Sequence, residues 1–491
     1  MSSPSSSLNR RLGLVGLTAT GICSMIGASI YVVPFMIQRN VPGIGPYVIP
    51  AFLFASIPAL FAALAYAILA SAMPRAGGAY LYASRALHPF WGFIASFSQW
   101  FGLSIVIGVI AYVVVPFFSE VALAMDWKPL AFWLGQGLVR VLLALVMLWV
   151  FIGINVLGLT FYERTLIPLM ILMFALGLVV IGGGLSYTQD DFLAMLASKE
   201  GKTVDLIEVP FSWMTFLSAA AILFSSFIGF DSIAQAGGEA KNPIRNLPRA
   251  IGLAIVLVGL FYVSFTYAVY HTVPWQFVAK EALSKDLTAA GLLSILLPSG
   301  IGIAILLGAA IALLNDLPAM ILSVSRLVFA WAEDGIFPKS LAGIHPKFHT
   351  PVSAILLSGG VSSLGILGSH FAGDFFLGID IMVTSMLVNF IFMCLSVACL
   401  PKRNPALAKG ITIFPNPLGR TILVGIGAVL LSCFLVIHTY KELTSSVDAW
   451  YFHSTWIWLL VMGMASLLFF FRWKKLKKSN PDLLLKFSKL P

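Results

Sequence analysis

Two short stretches of an otherwise apolar chain carry residues with something to offer a polar solute. The first is TGICSMIGASIYVVP, residues 20–34, where Gly21, Ser24, Gly27 and Ser29 crowd a run hydrophobic enough to span a bilayer. The second, in the other half of the chain, is FSSFIGFDSIAQAGG, residues 224–238, with Ser225, Ser226, Gly229 and Asp231 inside a comparable run. Glycine costs a helix interior about 1 kcal/mol relative to alanine, and serine competes for the backbone's own hydrogen bonds. A helix weakened in this way breaks. In lipid, the freed N–H and C=O groups need a bound polar solute, a water-filled cavity or neighbouring protein to satisfy them. The exposed N-terminal end of a half-helix presents donors and a positive dipole end to an anion such as a carboxylate. Packing of small residues against a neighbouring helix is the competing explanation for either stretch alone. Two weakened spans in corresponding positions of two halves form the pattern of a transporter with its site where both helices break.

Charges within the spans are the next candidates, because intramembrane ionisable groups are functional by default. Asp231 follows Gly229 by two residues, where it suits either the N-cap of the inner half-helix or a group that takes up and releases a proton. Asp316, in LLNDLPAM, precedes Pro318 and shares a helical face with Met320, four residues on. It reads either as an acid of an outer vestibule or as a second proton-coupling group. Asn155 and Asn389 suit helix-to-helix hydrogen bonds, and Asp380 and Arg140 lie near an interface. Ser323 and Ser325 could offer hydroxyls to sodium, although back-bonding to their own helix is the commoner use.

The elements that position these residues follow from composition. The chain has 491 residues, 59% of them hydrophobic and 10% charged, with a mean hydropathy of +0.96, which excludes an ordinary soluble domain. A spanning helix needs about 20 apolar residues, and twelve such runs are present, near 12–36, 47–71, 91–118, 139–159, 162–184, 213–237, 250–271, 291–328, 352–369, 376–399, 420–438 and 455–472. The chain is therefore expected to be an all-α polytopic membrane protein. Basic residues accumulate on one side, at Arg10, Arg11, Arg75, Arg85, Lys241, Arg245, Arg249, Lys402, Arg403 and the cluster Arg472–Lys478. That excess puts both termini in the cytoplasm and accounts for the formal charge of +10 without a nucleic-acid partner.

The opening MSSPSSSLNRR is polar and lacks the order of a cleaved signal peptide, so residues 1–11 are expected to form a disordered tail. Residues 12–185 hold the first five spans, 186–212 an outer loop, 213–400 the next five, 401–472 two peripheral spans, and 473–491 a basic tail suited to anionic headgroups. The four cysteines, Cys23, Cys394, Cys399 and Cys433, fall within spans and show no metal spacing. No P-loop, HExxH or nucleophile constellation is present, so no enzyme, cofactor or metal is expected.

Longer motifs carry a resemblance. GICSMIGASIY (21–31), SAMPRAGGAYLYASRALHPFWGF (71–93), SFIGFDSIAQAGGEAKNPIRNLPRA (226–250) and SRLVFAWAEDGIFPKSLAGIHPKFHTPVSA (325–354) resemble, in order and spacing, the permeases of the amino acid–polyamine–organocation superfamily. The resemblance implies the leucine-transporter-like fold, ten helices as two inverted five-helix repeats plus two C-terminal helices, and alternating access for amino acids or amines. It implies that a carboxylate binds the backbone N–H groups of Gly27, Ala28 and Ser29, and an ammonium the carbonyls of Cys23 or Met25 and those of Ser225 and Ile228. Ser24, Ser226, Phe227 and Phe230, with third-span residues near Gln99 and Ser104 and eighth-span residues near Asp316 and Met320, would then shape the pocket.

Three departures stand out. Ser225 is small where relatives place an aromatic gate, Ile68 replaces a common glutamate, and the fifth span has Met173 near the position of a proton-carrying lysine. The expected activity is secondary transport of amino acids or amines in a cell membrane, a bacterial inner membrane, as proton-sensitive symport or exchange. Sodium-coupled symport and an ion channel are the alternatives.

Overall fold

The computed structural model describes residues 8–205, 207–285, 287–372, 375–445, 453–479 and 483–491. In hydrocarbon the backbone must satisfy itself, which leaves helices as the form open to apolar runs of this length. Eleven helices among the described residues are long and apolar enough to cross a membrane. They form the second to twelfth spans: Gly45–Ala72, Pro89–Ala124, Gly137–Val156, Leu159–Leu185, Trp213–Glu239, Pro243–Thr272, Gly300–Glu333, Val352–Phe371, Leu377–Arg403, Pro417–Thr444 and Ser454–Ser479. The first span is built from pieces, Leu14–Met25, Ala28–Tyr31 and Val33–Asn40.

Local chemistry sets the ends. Pro89, Pro243 and Pro417 open the third, seventh and eleventh spans, where the missing N–H costs nothing and the ring holds a helical φ. The seventh span therefore starts at Pro243, earlier than the apolar run at 250 suggests, because polar residues on its first two turns are still helical. The eighth starts later than 291. Thr288 caps a separate turn, Ala289–Leu293, and the long helix begins only after Pro298. The loop expected over 186–212 contains a helix, Gln189–Glu200, closed by a capping box between Thr188 and Asp191.

The third, sixth, eighth and tenth spans are the most buried, and the fourth, fifth, eleventh and twelfth turn large apolar faces outward. The twelfth packs on the third, with Phe90 stacked on Phe470 at 5.1 Å and Trp458 Nε1 donating to Ser98 Oγ at 2.9 Å.

The N-terminal segment and the C-terminal tail meet on one face, where Leu8 and Pro491 line the same cavity of about 650 Å³. Of the tail expected over 1–11, residues 1–7 lie outside the described residues. Arg11 and Leu12 are held, each donating its backbone N–H to the Glu239 carbonyl at 2.9 Å, while Lys241 N–H returns a bond to Leu12 at 2.8 Å. Two buried ion pairs close this face. Arg326 reaches Glu239 through Nη2 at 2.5 Å and Nε at 3.1 Å. Arg85 bonds both oxygens of Asp334, at 2.5 and 3.1 Å, and Tyr80 adds a hydroxyl at 2.8 Å. The end of the basic tail folds back on the protein: Arg85 Nε donates to the Lys489 carbonyl at 3.2 Å and Asn404 to that of Ser488 at 2.8 Å. Phe487 is buried over the Arg85 guanidinium at 4.8 Å.

Side chains of Arg326 and Glu239 are each 1% exposed. Removing one partner of such a pair leaves an uncompensated buried charge, which costs about 3–5 kcal/mol, whereas replacing both by uncharged groups is far cheaper. Glu239→Gln is therefore expected to lower the thermal midpoint of the purified protein sharply, and Glu239→Gln combined with Arg326→Met to recover most of the loss. Scanning fluorimetry of the two singles and the double measures the coupling.

Candidate functional site

The first span loses helical geometry at Ile26, whose φ of −89° and ψ of 90° turn the chain out of the helix ending at Met25. The sixth does so between Leu223 and Asp231. A 3₁₀ turn, Phe224–Phe227, leads to extended Ile228 and to Gly229 at φ +140° before the helix restarts. The two breaks face each other. A Cβ on Gly229 would strike the Ser24 carbonyl, so the positive φ and the close approach both require glycine. Ser24 Oγ and Ser232 Oγ share a hydrogen bond of 2.8 Å across the contact, and the Tyr262 hydroxyl donates to the Met25 carbonyl at 2.5 Å.

Asp316 is brought to the first-span break rather than to an outer vestibule. A Cβ at Gly27 would overlap its carboxylate, so that carboxylate lies directly against the Gly27 backbone. Asp316 is 4% exposed and its Oδ1 has no hydrogen-bond partner. Its neighbour Asn315 is tied to the first span, donating to Cys23 Sγ at 2.9 Å. A cavity of about 50 Å³ lies here, with Ser24, Met25, Ser225, Ile228, Asp316 and Met320 in its lining. Space of this size holds a water or two, well short of the ~300 Å³ at the small end of drug-sized ligand pockets. The site is thus closed down in this conformation.

Asp231 opens the helix Asp231–Gln235 as its first residue, with Phe230 in the cap position and no side-chain cap bond, so the expected N-cap role is not what its carboxylate does. One oxygen receives the Gln99 amide and the other, Oδ1, has no partner. Gln99 Oε1 accepts from Gln235 at 3.3 Å and from Asn389 at 3.2 Å, and Asn389 accepts from the Tyr66 hydroxyl at 2.6 Å. These groups are fully buried and join the second, third, sixth and tenth spans.

Of the residues singled out from sequence, Ser24, Met25, Gly27, Ser225 and Ile228 are gathered with Asp316 at the breaks. Ala28 and Ser29 form the first turn of the next helical piece. Cys23 turns to Asn315, and Ser226 is buried with an unpartnered hydroxyl. Phe227 packs edge-on to Phe52 at 5.5 Å, and Phe230 stacks on Phe390 at 5.1 Å, both away from the cavity lining. Ser325 back-bonds to the Leu322 carbonyl at 2.9 Å and accepts from Arg326. Ser323 is buried without a partner. Among the described residues no cluster of three His, Cys, Asp or Glu side chains could hold a metal.

Sequence reading missed the ion pairs Arg326–Glu239 and Arg85–Asp334. Their signal was available as opposite charges inside the motifs GGEAKNP, SRLVFAWAEDG and YASRAL.

A family model described as amino acid permease matches residues 12–466. The chain belongs to the amino acid permease family. Relatives include an uncharacterised transporter of Mycobacterium tuberculosis, 29% identical over 364 residues, covering 72% of this chain and 73% of the relative. A branched-chain amino acid permease of Bacillus subtilis is 29% identical over 239 residues, 47% of this chain and 48% of its own. A low-affinity putrescine importer of Escherichia coli is 29% identical over 175 residues, 35% and 36% of the two chains. This permease is thus an all-α, multi-pass membrane transporter. The structure puts Ser225 in the cavity wall, and Ile68 of the second span and Met173 of the fifth are fully buried.

Gly27→Ala puts a methyl group where the Asp316 carboxylate lies, an overpacking cost of about 1–3 kcal/mol. The expected outcome is a lower thermal midpoint and lost ligand binding. Adding Asp316→Ala should restore the midpoint, since the carboxylate is what the methyl group strikes.

Proposed function

We propose that this permease is a secondary transporter that moves amino acids or related amines across a cell membrane by alternating access, with both termini on the cytoplasmic side. The observation that carries the reading is the pair of facing helix breaks at Met25–Ala28 and Leu223–Asp231 with one cavity between them. Opposed breaks offer both backbone donors and backbone acceptors at one point in the membrane, the arrangement in which discontinuous spans hold a polar solute. The relatives named for branched-chain amino acids and for putrescine support a substrate among amino acids and amines.

On this reading the conformation is closed toward the cytoplasm. The Arg326–Glu239 and Arg85–Asp334 pairs and the pairing of Leu12 with Ala240 lie between the breaks and the terminal face. A channel would need a continuous path, which these contacts interrupt. Release toward the cytoplasm then requires both pairs to part and rehydrate.

Asp231 is the proposed proton-sensitive group. Its carboxylate sits beside the sixth-span break, bonded to Gln99 and neighboured by the phenol of Tyr66 through Asn389. Sodium coupling near Ser323 and Ser325 is the second reading, and it is weakened because the Ser325 hydroxyl is already engaged by Leu322 and Arg326.

Uptake of radiolabelled amino acids and amines into proteoliposomes, under imposed pH and sodium gradients, tests the proposal. Saturable uptake accelerated by internal substrate is expected, and uptake that neither saturates nor shows counterflow would overturn it. Ser225→Phe should fill the cavity and disfavour large substrates over small ones in competition profiles. Asp231→Asn should flatten the pH dependence of transport from about pH 5 to 8, while a full profile in that variant would remove Asp231 from coupling.

A further inference from the structure

The Gly27 break is where a transported amino acid would place its carboxylate, and in this chain a carboxylate of the protein is already there. Asp316 lies in the space a Cβ of Gly27 would take, 4% exposed, with Oδ1 unpartnered and in the cavity lining. The Ser225 hydroxyl, 6% exposed and also unpartnered, lines the same cavity from the sixth span. Among the described residues Asp316 is the one ionisable side chain in that lining, which otherwise holds Ser24 and aliphatic or thioether surface such as Val106, Ile379, Met320 and Met382.

We propose that Asp316 and Ser225 bind the ammonium group of a singly charged amine that has an apolar body and no carboxylate. The inference deepens the transporter reading and rests on it. An ammonium carries three donors and no acceptor, which matches two unpartnered acceptor atoms, Asp316 Oδ1 and the Ser225 hydroxyl oxygen, in one cavity. A substrate carboxylate entering at Gly27 would share its place with Asp316, and two carboxylates in one site cannot both stay ionised. A diamine would bring a second cation to a wall that, among the described residues, offers it no second carboxylate, only the Ser24 hydroxyl and aliphatic or thioether groups. Charge and shape therefore select one positive end and a branched or thioether-sized tail, as in the decarboxylated counterparts of leucine or methionine.

The test compares matched pairs that differ only by the carboxylate. Purified full-length protein in detergent at pH 7 is titrated calorimetrically with 3-methylbutylamine against leucine, 3-(methylthio)propylamine against methionine, and putrescine. The amine of each pair is expected to bind about 100-fold more tightly than its amino acid, the size of effect that one like-charge neighbour produces. Asp316→Asn should weaken the amines and strengthen the amino acids, reversing the preference, a change that loss of structure could not produce. The midpoint of thermal unfolding checks that the variant is folded, and if it is not, the wild-type pairs still decide.

Tighter binding of leucine or methionine than of its amine would overturn the inference and leave the transporter reading in place. Tightest binding of putrescine would overturn the single-charge assignment. If folded wild-type protein bound none of these ligands and none of the amino acids or amines of the transport panel, the transporter reading would fail and the inference with it.

Discussion

Backbone hydrogen bonding in hydrocarbon is the constraint on which the rest of this structure depends. Among the described residues ten spans meet it by their own ladders, and two fail it in their middles. The failures are placed where each can answer the other. The Ser24 carbonyl meets Gly229, Ser24 and Ser232 exchange a hydrogen bond, and Tyr262 from the seventh span takes the Met25 carbonyl. Without a glycine at 229 the spans would be pushed apart, and the polar groups freed by both breaks would face lipid or void. The site is thus a by-product of two defects that cannot be buried separately.

Charge follows a second logic layered on the first. Near the terminal face, acid and base are paired with near-ideal geometry: Glu239 takes a two-point bond from Arg326, and Asp334 takes one from Arg85 with Tyr80 assisting. Bidentate arginine pairs satisfy both carboxylate oxygens and so offset much of the desolvation that burial imposes. At mid-membrane the pattern is the opposite. Asp231 and Asp316 each keep an oxygen without a partner, and among the described residues no arginine or lysine lines the cavity beside Asp316. Saturated charges hold a closed face together, whereas unsaturated ones leave interaction energy for a proton or a ligand.

The tail bears on the same face. Leu483 and Phe487 are buried, and the carbonyls of Lys489 and Ser488 are bonded by Arg85 and Asn404. Arg85 therefore serves the Asp334 pair and the tail at once, so the parting of that pair and the release of the tail are physically linked.

Much of this was readable from sequence. Apolar run length specified the spans, because a backbone in lipid has almost no alternative to helix. The glycine and serine clusters at 20–34 and 224–238 marked the breaks, because helix propensity is a local property. The seventh- and eighth-span starts were misjudged where polar first turns and Pro298 shift a boundary that hydrophobicity alone does not see. What tertiary structure decided was partnership. The sequence left Asp316 open between a vestibule acid and a coupling group and Asp231 between a cap and a proton-sensitive group, and it is the fold that lays one carboxylate on Gly27 and gives the other to Gln99 from a different span. Phe227 and Phe230 looked like pocket walls and instead pack on Phe52 and Phe390. Arg326 and Glu239 are 87 positions apart and were legible only as isolated charges. Spacing along a helix states which residues share a face, but which face meets which neighbour depends on how the whole bundle packs, and that is information no local pattern contains.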